Sequence, residues 1–187
     1  MGVSVVVVGT SLGGLSALRV LLSGLPREFR PPLVVVQHRS KTADDGLVNL
    51  LDKETPLSVS EPNDKEPLEP GHVYIGPADY HLLVEPKSLA LSTDAPLNHA
   101  RPSIDVLFES AAESHGSGVV GVVLTGANQD GARGSARIKE RGGVVLVQDT
   151  ASAEATAMPA AAIAAANVDK VAPLSELPAI LIKLCRQ

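Results

Sequence analysis

The chain has 187 residues and a formal net charge of −5; 44% of its residues are hydrophobic, but only 2% are aromatic. This length fits one globular domain, and a core so poor in aromatic residues must be built from Val, Leu, Ile and Ala, as in parallel strands covered by helices. The acidic balance and the lack of a Lys/Arg-rich run argue against a nucleic-acid partner, which requires a basic surface.

The sequence also argues against an oxidising compartment, a membrane span and a metal centre. Cys185 is the single cysteine, so an internal disulfide is impossible. No apolar stretch reaches the length of a membrane span, and the start lacks the charged leader and cleavage site of a secretion signal. The five histidines show neither zinc-type spacing nor an H-E-x-x-H pattern. We therefore expect a cytoplasmic protein that needs no metal and does not insert into a membrane.

The first predicted element is a buried strand from Val3 to Val8, which leads into the turn Gly9-Thr10-Ser11-Leu12-Gly13-Gly14. A helix over residues 14–25 follows, because leucines recur at helical spacing until Pro26. A G-x-S-x-G turn between a strand and a helix can present a serine nucleophile. Glycines at this place can also cradle a phosphate, but the G-x-G-x-x-G order and a Walker lysine are missing.

The next predicted elements lead into a proline-rich region. A strand over residues 33–37 ends at His38, and a helix over 43–54 and a short strand over 57–60 follow. Prolines then punctuate short apolar segments between residues 61 and 91. We interpret this region as a β-hairpin excursion, with extended segments at 72–75, 81–85 and 89–91.

The second half of the chain alternates helices with strands. Ser103 is placed as the N-cap of a helix that carries Asp105 in its first turn. The later elements follow from apolar periodicity: strands at 119–124 and 144–148, and helices at 131–141, 151–157, 159–166 and 174–186. The alternation predicts a three-layer α/β/α fold with a mostly parallel, doubly wound sheet and a small β-hairpin excursion.

Three polar residues follow three of the predicted strands. They are Ser11 after the first strand, His38 after the second, and Asp130 in the loop LTGANQDGARG after a later one. Because ligands of an open parallel sheet sit beyond the carboxyl ends of its strands, we expect the three side chains at one edge. A serine nucleophile needs an imidazole to take its proton, and the imidazole needs a carboxylate to fix its tautomer. The set therefore indicates acyl-transfer chemistry.

Each member of this set also has an ordinary structural interpretation. Ser11 fits an N-cap of the helix behind it, and Asp130 fits a cap of the helix after Gly131. His38 fits a surface residue just past a buried strand. The coincidence of all three at strand ends favours the catalytic interpretation.

Several stretches resemble the catalytic domain of the chemotaxis receptor methylesterases, the protein-glutamate methylesterases usually called CheB. The matching stretches run almost from end to end: VVVVGTSLGG around Ser11, VVVQH ending at His38, GPADYHLLVE around His81, RPSIDVLFES from Arg101, GVVLTGANQDGARG around Asp130, and the Met158-Pro159 pair. Together these stretches are specific for this family. The order Ser, His, Asp along the chain also differs from the Ser, Asp, His order of α/β-hydrolases.

The resemblance implies a serine hydrolase that removes methyl groups from glutamate methyl esters on chemoreceptors, and in many members deamidates receptor glutamines. It implies Ser11 as the nucleophile, His38 as the general base and later acid, and Asp130 as the orienting carboxylate. The implied oxyanion donors are the backbone N–H groups of His38 and Ala127. No cofactor is implied, and the implied partner is the cytoplasmic domain of a methyl-accepting chemoreceptor.

The sequence departs from the family pattern close to the site. The loop before the acid usually reads T-G-M-G-x-D-G, whereas Ala127 and Asn128 stand here in place of the methionine and the glycine after it. Leu12 stands where a threonine is common. Because the first strand follows Met1 directly, we expect a single catalytic domain over residues 1–187, without the family's receiver domain. Two alternatives stay open: a receptor-binding pseudoenzyme, and an esterase or amidase for a different substrate.

Overall fold

The strands form one large parallel sheet and a separate small hairpin. The computed structural model describes residues 2–42 and 46–186. The strands are β1 Val5–Thr10, β2 Leu33–Gln37, β3 Ser58–Ser60, β4 His72–Ile75, β5 His81–Val84, β6 Leu89–Ser92, β7 Val119–Val123, β8 Val144–Gln148 and β9 Lys170–Ala172. The seven-stranded sheet has the order β3-β4-β2-β1-β7-β8-β9 with parallel neighbours throughout, while β5 and β6 pair antiparallel.

Helices cover both faces of the large sheet. They are α1 Gly14–Ser23, α2 Gly46–Glu54, α3 Ile104–His115, α4 Ala132–Glu140, α5 Ala157–Ala165 and α6 Leu177–Cys185. Short 3-10 turns occur at Gly116–Gly118, Thr150–Ser152 and Leu174–Glu176. No helix within the described residues combines the length and the apolar character needed to cross a membrane.

The central strand β1 divides the core into two layers. Val6 and Val8 pack with α1, α2 and α6 on one face, whereas Val5 and Val7 pack with α3, α4, α5 and the β5–β6 hairpin on the other. All four valines are fully buried, because side chains alternate along a strand and both faces of this sheet are covered. The predicted three-layer α/β/α class and the mostly parallel sheet are confirmed.

Some predictions for individual elements were wrong. The sequence pattern places residues 72–75 in the hairpin excursion, but they form β4, which joins the large sheet between β3 and β2, where Val73 and Ile75 are fully buried. The predicted helix over 151–157 is absent apart from the turn Thr150–Ser152. Alanine favours a helix there, but Ala155 hydrogen-bonds to the loop after β7 and holds this segment in an irregular path. The short strand β9 was not predicted.

Other boundaries shifted by a few residues. α1 ends at Ser23, and α6 begins at Leu177 after a 3-10 turn rather than at residue 174. The helix predicted over 43–54 is described from Gly46, and residues 43–45 lie outside the described residues. β2 has the predicted bounds, so the position of His38 directly after a buried strand is confirmed.

Candidate active site

The predicted site residues lie at the carboxyl ends of three adjacent strands, β2, β1 and β7. Thr10 of β1 pairs with Gln37 of β2, so Ser11 and His38 each follow directly after a paired position. The loop that leads to Asp130 leaves β7, which borders β1 on its other side. The topology therefore delivers all three residues to one edge of the sheet.

Ser11 lies in a tight turn between β1 and α1. Its N–H donates to the Thr125 carbonyl at 2.9 Å, and its own carbonyl accepts the N–H of Gly14 at 2.9 Å. α1 begins only at Gly14, and its N-cap is Gly13 at φ 78°, a left-handed conformation that glycine adopts without strain. Because Ser11 precedes the cap by two residues, its interpretation as a helix cap is wrong. Ser11 instead lines an open pocket together with His38.

Gln37, which the sequence reasoning missed, holds the backbones of two predicted site residues together. Its side-chain Nε2 donates to the Ser11 carbonyl at 2.9 Å and to the His38 carbonyl at 2.7 Å. One amide group thus fixes the turn that carries Ser11 against the strand end that carries His38. The signal in the sequence was a glutamine that ends an otherwise apolar strand.

A short polar contact joins the side chains of His38 and Asp130. His38 Nε2 lies 2.7 Å from Asp130 Oδ2, within the range of a charge-assisted hydrogen bond. The side chains are 14% and 3% exposed, respectively. The interpretation of His38 as an ordinary surface residue is therefore wrong.

Asp130 directly precedes α4, but its carboxylate lies at the start of α3. Its carboxylate accepts the N–H groups of Ile104 and Asp105 at 2.7 and 2.9 Å and the Ser103 hydroxyl at 2.9 Å. Burial, the largest influence, raises the pKa of Asp130, but the hydrogen bonds from His38 and from the first N–H groups of α3 outweigh it and hold the pKa below the ordinary value. Asp130 is therefore an ionised acceptor at neutral pH, and its interpretation as the cap of α4 is wrong.

Asp105 anchors the Asp130 loop from the opposite side, a role that sequence reasoning did not find. Its carboxylate accepts the N–H of Gly131 at 3.0 Å and of Gly134 at 2.8 Å, at the start of α4. Burial chiefly, and then the charge of Asp130, raise the pKa of Asp105 above its ordinary value. Two carboxylates thus join α3 and α4: Asp130, in the loop before α4, accepts N–H groups at the N-terminus of α3, and Asp105 of α3 accepts N–H groups at the N-terminus of α4.

Ser11 and His38 share a pocket but not a hydrogen bond. Within the described part of the chain, Ser11 Oγ makes no hydrogen bond to the imidazole. His38 Nδ1, the nitrogen that does not face Asp130, lies 3.2 Å from Nδ2 of Asn128. The structure therefore brings the predicted base and acid together and places the predicted nucleophile beside them.

The resemblance implies the backbone N–H groups of His38 and Ala127 as oxyanion donors, and the two differ in whether they already make a hydrogen bond. The His38 N–H donates to the Thr10 carbonyl at 3.0 Å, as a continuation of the β1–β2 ladder. Because an N–H carries a single hydrogen, that expectation for His38 is not met in this structure. The exposed Ala127 N–H makes no hydrogen bond to any described residue, and it lies in the loop between β7 and Asp130.

The other histidines mostly have structural partners. His81 is buried and lies between Ser103 N–H, at 3.2 Å from Nδ1, and the Ala95 carbonyl, at 3.1 Å from Nε2. His72 contacts Ser60. Among residues 2–42 and 46–186, no group of three or more His, Cys, Asp or Glu side chains is placed to hold a metal ion.

The chain is similar to proteins of one family in both sequence and structure. Residues 6–181 match the family model described as CheB methylesterase. A relative from Leptospira interrogans is 42% identical over 185 residues, which cover 98% of this chain and 96% of the relative. A protein-glutamate methylesterase/protein-glutamine glutaminase from Anaeromyxobacter dehalogenans is 42% identical over 184 residues, which cover 98% of this chain and 54% of that protein. The crystal structure of the Thermotoga maritima CheB methylesterase catalytic domain superimposes with a TM-score of 0.93 at 34% identity, covering 98% of this chain and 100% of that one.

Proposed function

Because this chain belongs to the CheB methylesterase family, we propose that it is a serine hydrolase that demethylates glutamate methyl esters on chemoreceptors. The observation that carries the proposal is the 2.7 Å contact between His38 Nε2 and Asp130 Oδ2, which lies beside the turn that presents Ser11. The relative from Anaeromyxobacter dehalogenans is also named a protein-glutamine glutaminase. The same site would deamidate a receptor glutamine, because an amide and an ester pass through the same acyl-enzyme.

The hydrogen bonds of the site support distinct roles for the three residues. Ionised Asp130 accepts a hydrogen bond from the N–H at His38 Nε2, so the ring carries its lone pair on Nδ1. As Ser11 Oγ attacks the ester carbonyl, this Nδ1 takes the hydroxyl proton, and Asp130 stabilises the imidazolium that results. The proton on Nδ1 then passes to the methoxy oxygen, and methanol leaves.

The second half of the reaction repeats these transfers with water. Water loses a proton to Nδ1 while it attacks the acyl-enzyme, and that proton returns to Ser11 Oγ as the glutamate is released. In both halves a negative charge develops on the carbonyl oxygen and needs N–H donors. The Ala127 N–H is available for this oxygen, whereas the His38 N–H is engaged by Thr10. No cofactor takes part in the proposed reaction.

The surroundings of Ser11 favour a protein substrate, and we propose that the chain acts on it in the cytoplasm. Leu12 and Leu15 are 55% and 40% exposed, and both line the pocket of Ser11. Such an apolar border suits the side of a protein helix better than a small charged ester. We propose the cytoplasmic domain of a chemoreceptor as the partner, and residues 1–187 as one catalytic domain.

The direct test measures methanol release from chemoreceptor that carries labelled methyl esters. We expect Ser11→Ala to lose release by about a thousand-fold or more, because the nucleophile is removed. The matched control is Ser117→Ala, an exposed serine remote from the site, which should keep full activity. Full activity in Ser11→Ala would refute the catalytic assignment.

Two further readouts separate the alternatives. A fluorophosphonate that labels Ser11 without any methanol release from receptors would favour a different substrate, and turnover of small esters would support that reading. A protein that binds receptors but is not labelled would be a pseudoenzyme.

A further inference from the structure

The side chain of Asn128 contacts both the base and the acid of the site. Its Oδ1 accepts the Asp130 N–H at 3.1 Å, and its Nδ2 lies 3.2 Å from His38 Nδ1. A backbone N–H can only donate, so the oxygen of the Asn128 amide must face Asp130 and the NH₂ group must face His38. The orientation of this amide is therefore determined by its surroundings.

The orientation of Asn128 also determines the tautomer of His38. Because the NH₂ group can only donate, His38 Nδ1 must be the acceptor and carry a lone pair. The ring proton then resides on Nε2, where it is donated to Asp130 at 2.7 Å. This is the tautomer in which Nδ1 can accept a proton from Ser11.

An imidazole nitrogen has one in-plane lone pair and accepts one good hydrogen bond at a time. We propose that Asn128 positions His38 in the reactive tautomer and competes with Ser11 for Nδ1, so that Asn128 must release this nitrogen before proton transfer. Two observations support the competition: Asn128 is exposed and lines a pocket together with His38, and Ser11 Oγ makes no hydrogen bond to His38 within the described residues. The inference rests on the proposed function, because it concerns the base of that reaction.

The first test compares the rate at which a fluorophosphonate labels Ser11 in the intact chain. In Asn128→Gly the competitor is gone, and we expect labelling to accelerate about two- to ten-fold, the range set by the net strength of one neutral hydrogen bond. Asn167→Gly is the matched control, because Asn167 is exposed and makes no side-chain hydrogen bond in the described structure. An unchanged or slower rate in Asn128→Gly would overturn the competition.

Asn128→Asp separates this role from a merely structural one. The carboxylate keeps an oxygen for the Asp130 N–H, but it presents an acceptor to His38 Nδ1 and draws a proton there. We expect slower labelling, and the acid limb of the pH–rate profile should move to higher pH. A profile that superimposes on that of the wild type would contradict the proposal.

Nitrogen-15 NMR of the histidine rings tests the tautomer without any reaction. For the neutral ring of His38 we expect an unprotonated, hydrogen-bonded Nδ1 and a protonated Nε2, with the signals assigned through His38→Gln. Asn128→Gly should move the Nδ1 resonance, whereas Asn167→Gly should not. A protonated Nδ1 in the wild type would overturn the inference. If no variant can be labelled, the hydrolase proposal fails, and the NMR result still decides the placement of Asn128.

Discussion

Gly14 and Gln37 are matched, because the Gln37 amide occupies the space that a side chain at residue 14 would need. A Cβ atom on Gly14 would clash with Gln37 Oε1 and would lie 2.7 Å from Thr10 Oγ1. The other end of the same amide holds the carbonyls of Ser11 and His38. A glycine of the nucleophile turn therefore leaves room for the side chain that fixes the turn to the neighbouring strand.

We expect Gly14→Ala to displace the Gln37 side chain and to lower both stability and activity. Overpacking of this kind costs about 1–3 kcal/mol in the free energy of unfolding. Urea denaturation and kcat/KM for methanol release measure the two effects. Gly2→Ala is the control, because a Cβ there meets nothing within 4 Å. Wild-type activity in Gly14→Ala would show that the fit between these residues does not matter.

Gln37→Met keeps approximately the shape of the side chain and removes both of its hydrogen bonds. The carbonyls of Ser11 and His38 would then lose their common donor, and the two side chains would lose their relative alignment. Small misplacements of reacting groups reduce rates by up to about a hundred-fold, so we expect kcat to fall by about ten- to a hundred-fold with little change in KM. Steady-state kinetics on methylated receptor give both values. An effect confined to KM would contradict a positioning role.

The sequence was sufficient to predict those parts of the molecule that depend on a local pattern of residues. The run of valines in β1 and the five apolar-rich residues of β2 predict buried strands, and Ser11 and His38 follow at their ends. Because the carboxyl ends of parallel strands meet at one edge, the convergence of the site also follows from the sequence.

The remaining features depend on contacts between distant segments, which a local pattern does not encode. β4 is flanked by prolines, as is typical of the hairpin region, and only its pairing with β2 and β3 places it in the large sheet. Asp130 precedes α4 in sequence, as a cap would, yet its carboxylate reaches α3. Gln37 and Asn128 show their roles only through partners 26 and 90 residues away.

Asp105→Ala tests the anchor of the Asp130 loop. The buried N–H groups of Gly131 and Gly134 would lose their acceptor, at a cost of about 1–3 kcal/mol in the free energy of unfolding. We also expect lower kcat/KM, because the loop that carries Asp130 would loosen. Glu109→Ala, one turn further along α3, removes only an exposed ion pair with Arg133 and should cost at most about 1 kcal/mol. Equal losses in the two variants would argue against a special role for Asp105.

The pKa of Asp130 predicts how the fold responds to acid. Its pKa in the folded state lies below the ordinary value of 3.8, so the unfolded chain binds more protons at this residue as the pH falls toward and below 3.8. Asp130 therefore contributes stability that is present above the unfolded pKa and is lost as the pH falls through the folded pKa. The free energy of unfolding, measured by urea denaturation between pH 7 and pH 3, should decline less steeply in Asp130→Asn than in the wild type. Asp94→Asn, which alters an exposed carboxylate, is the control and should follow the wild-type slope. Parallel curves for Asp130→Asn and the wild type would show that the hydrogen bonds from His38 and α3 do not favour the ionised form of Asp130.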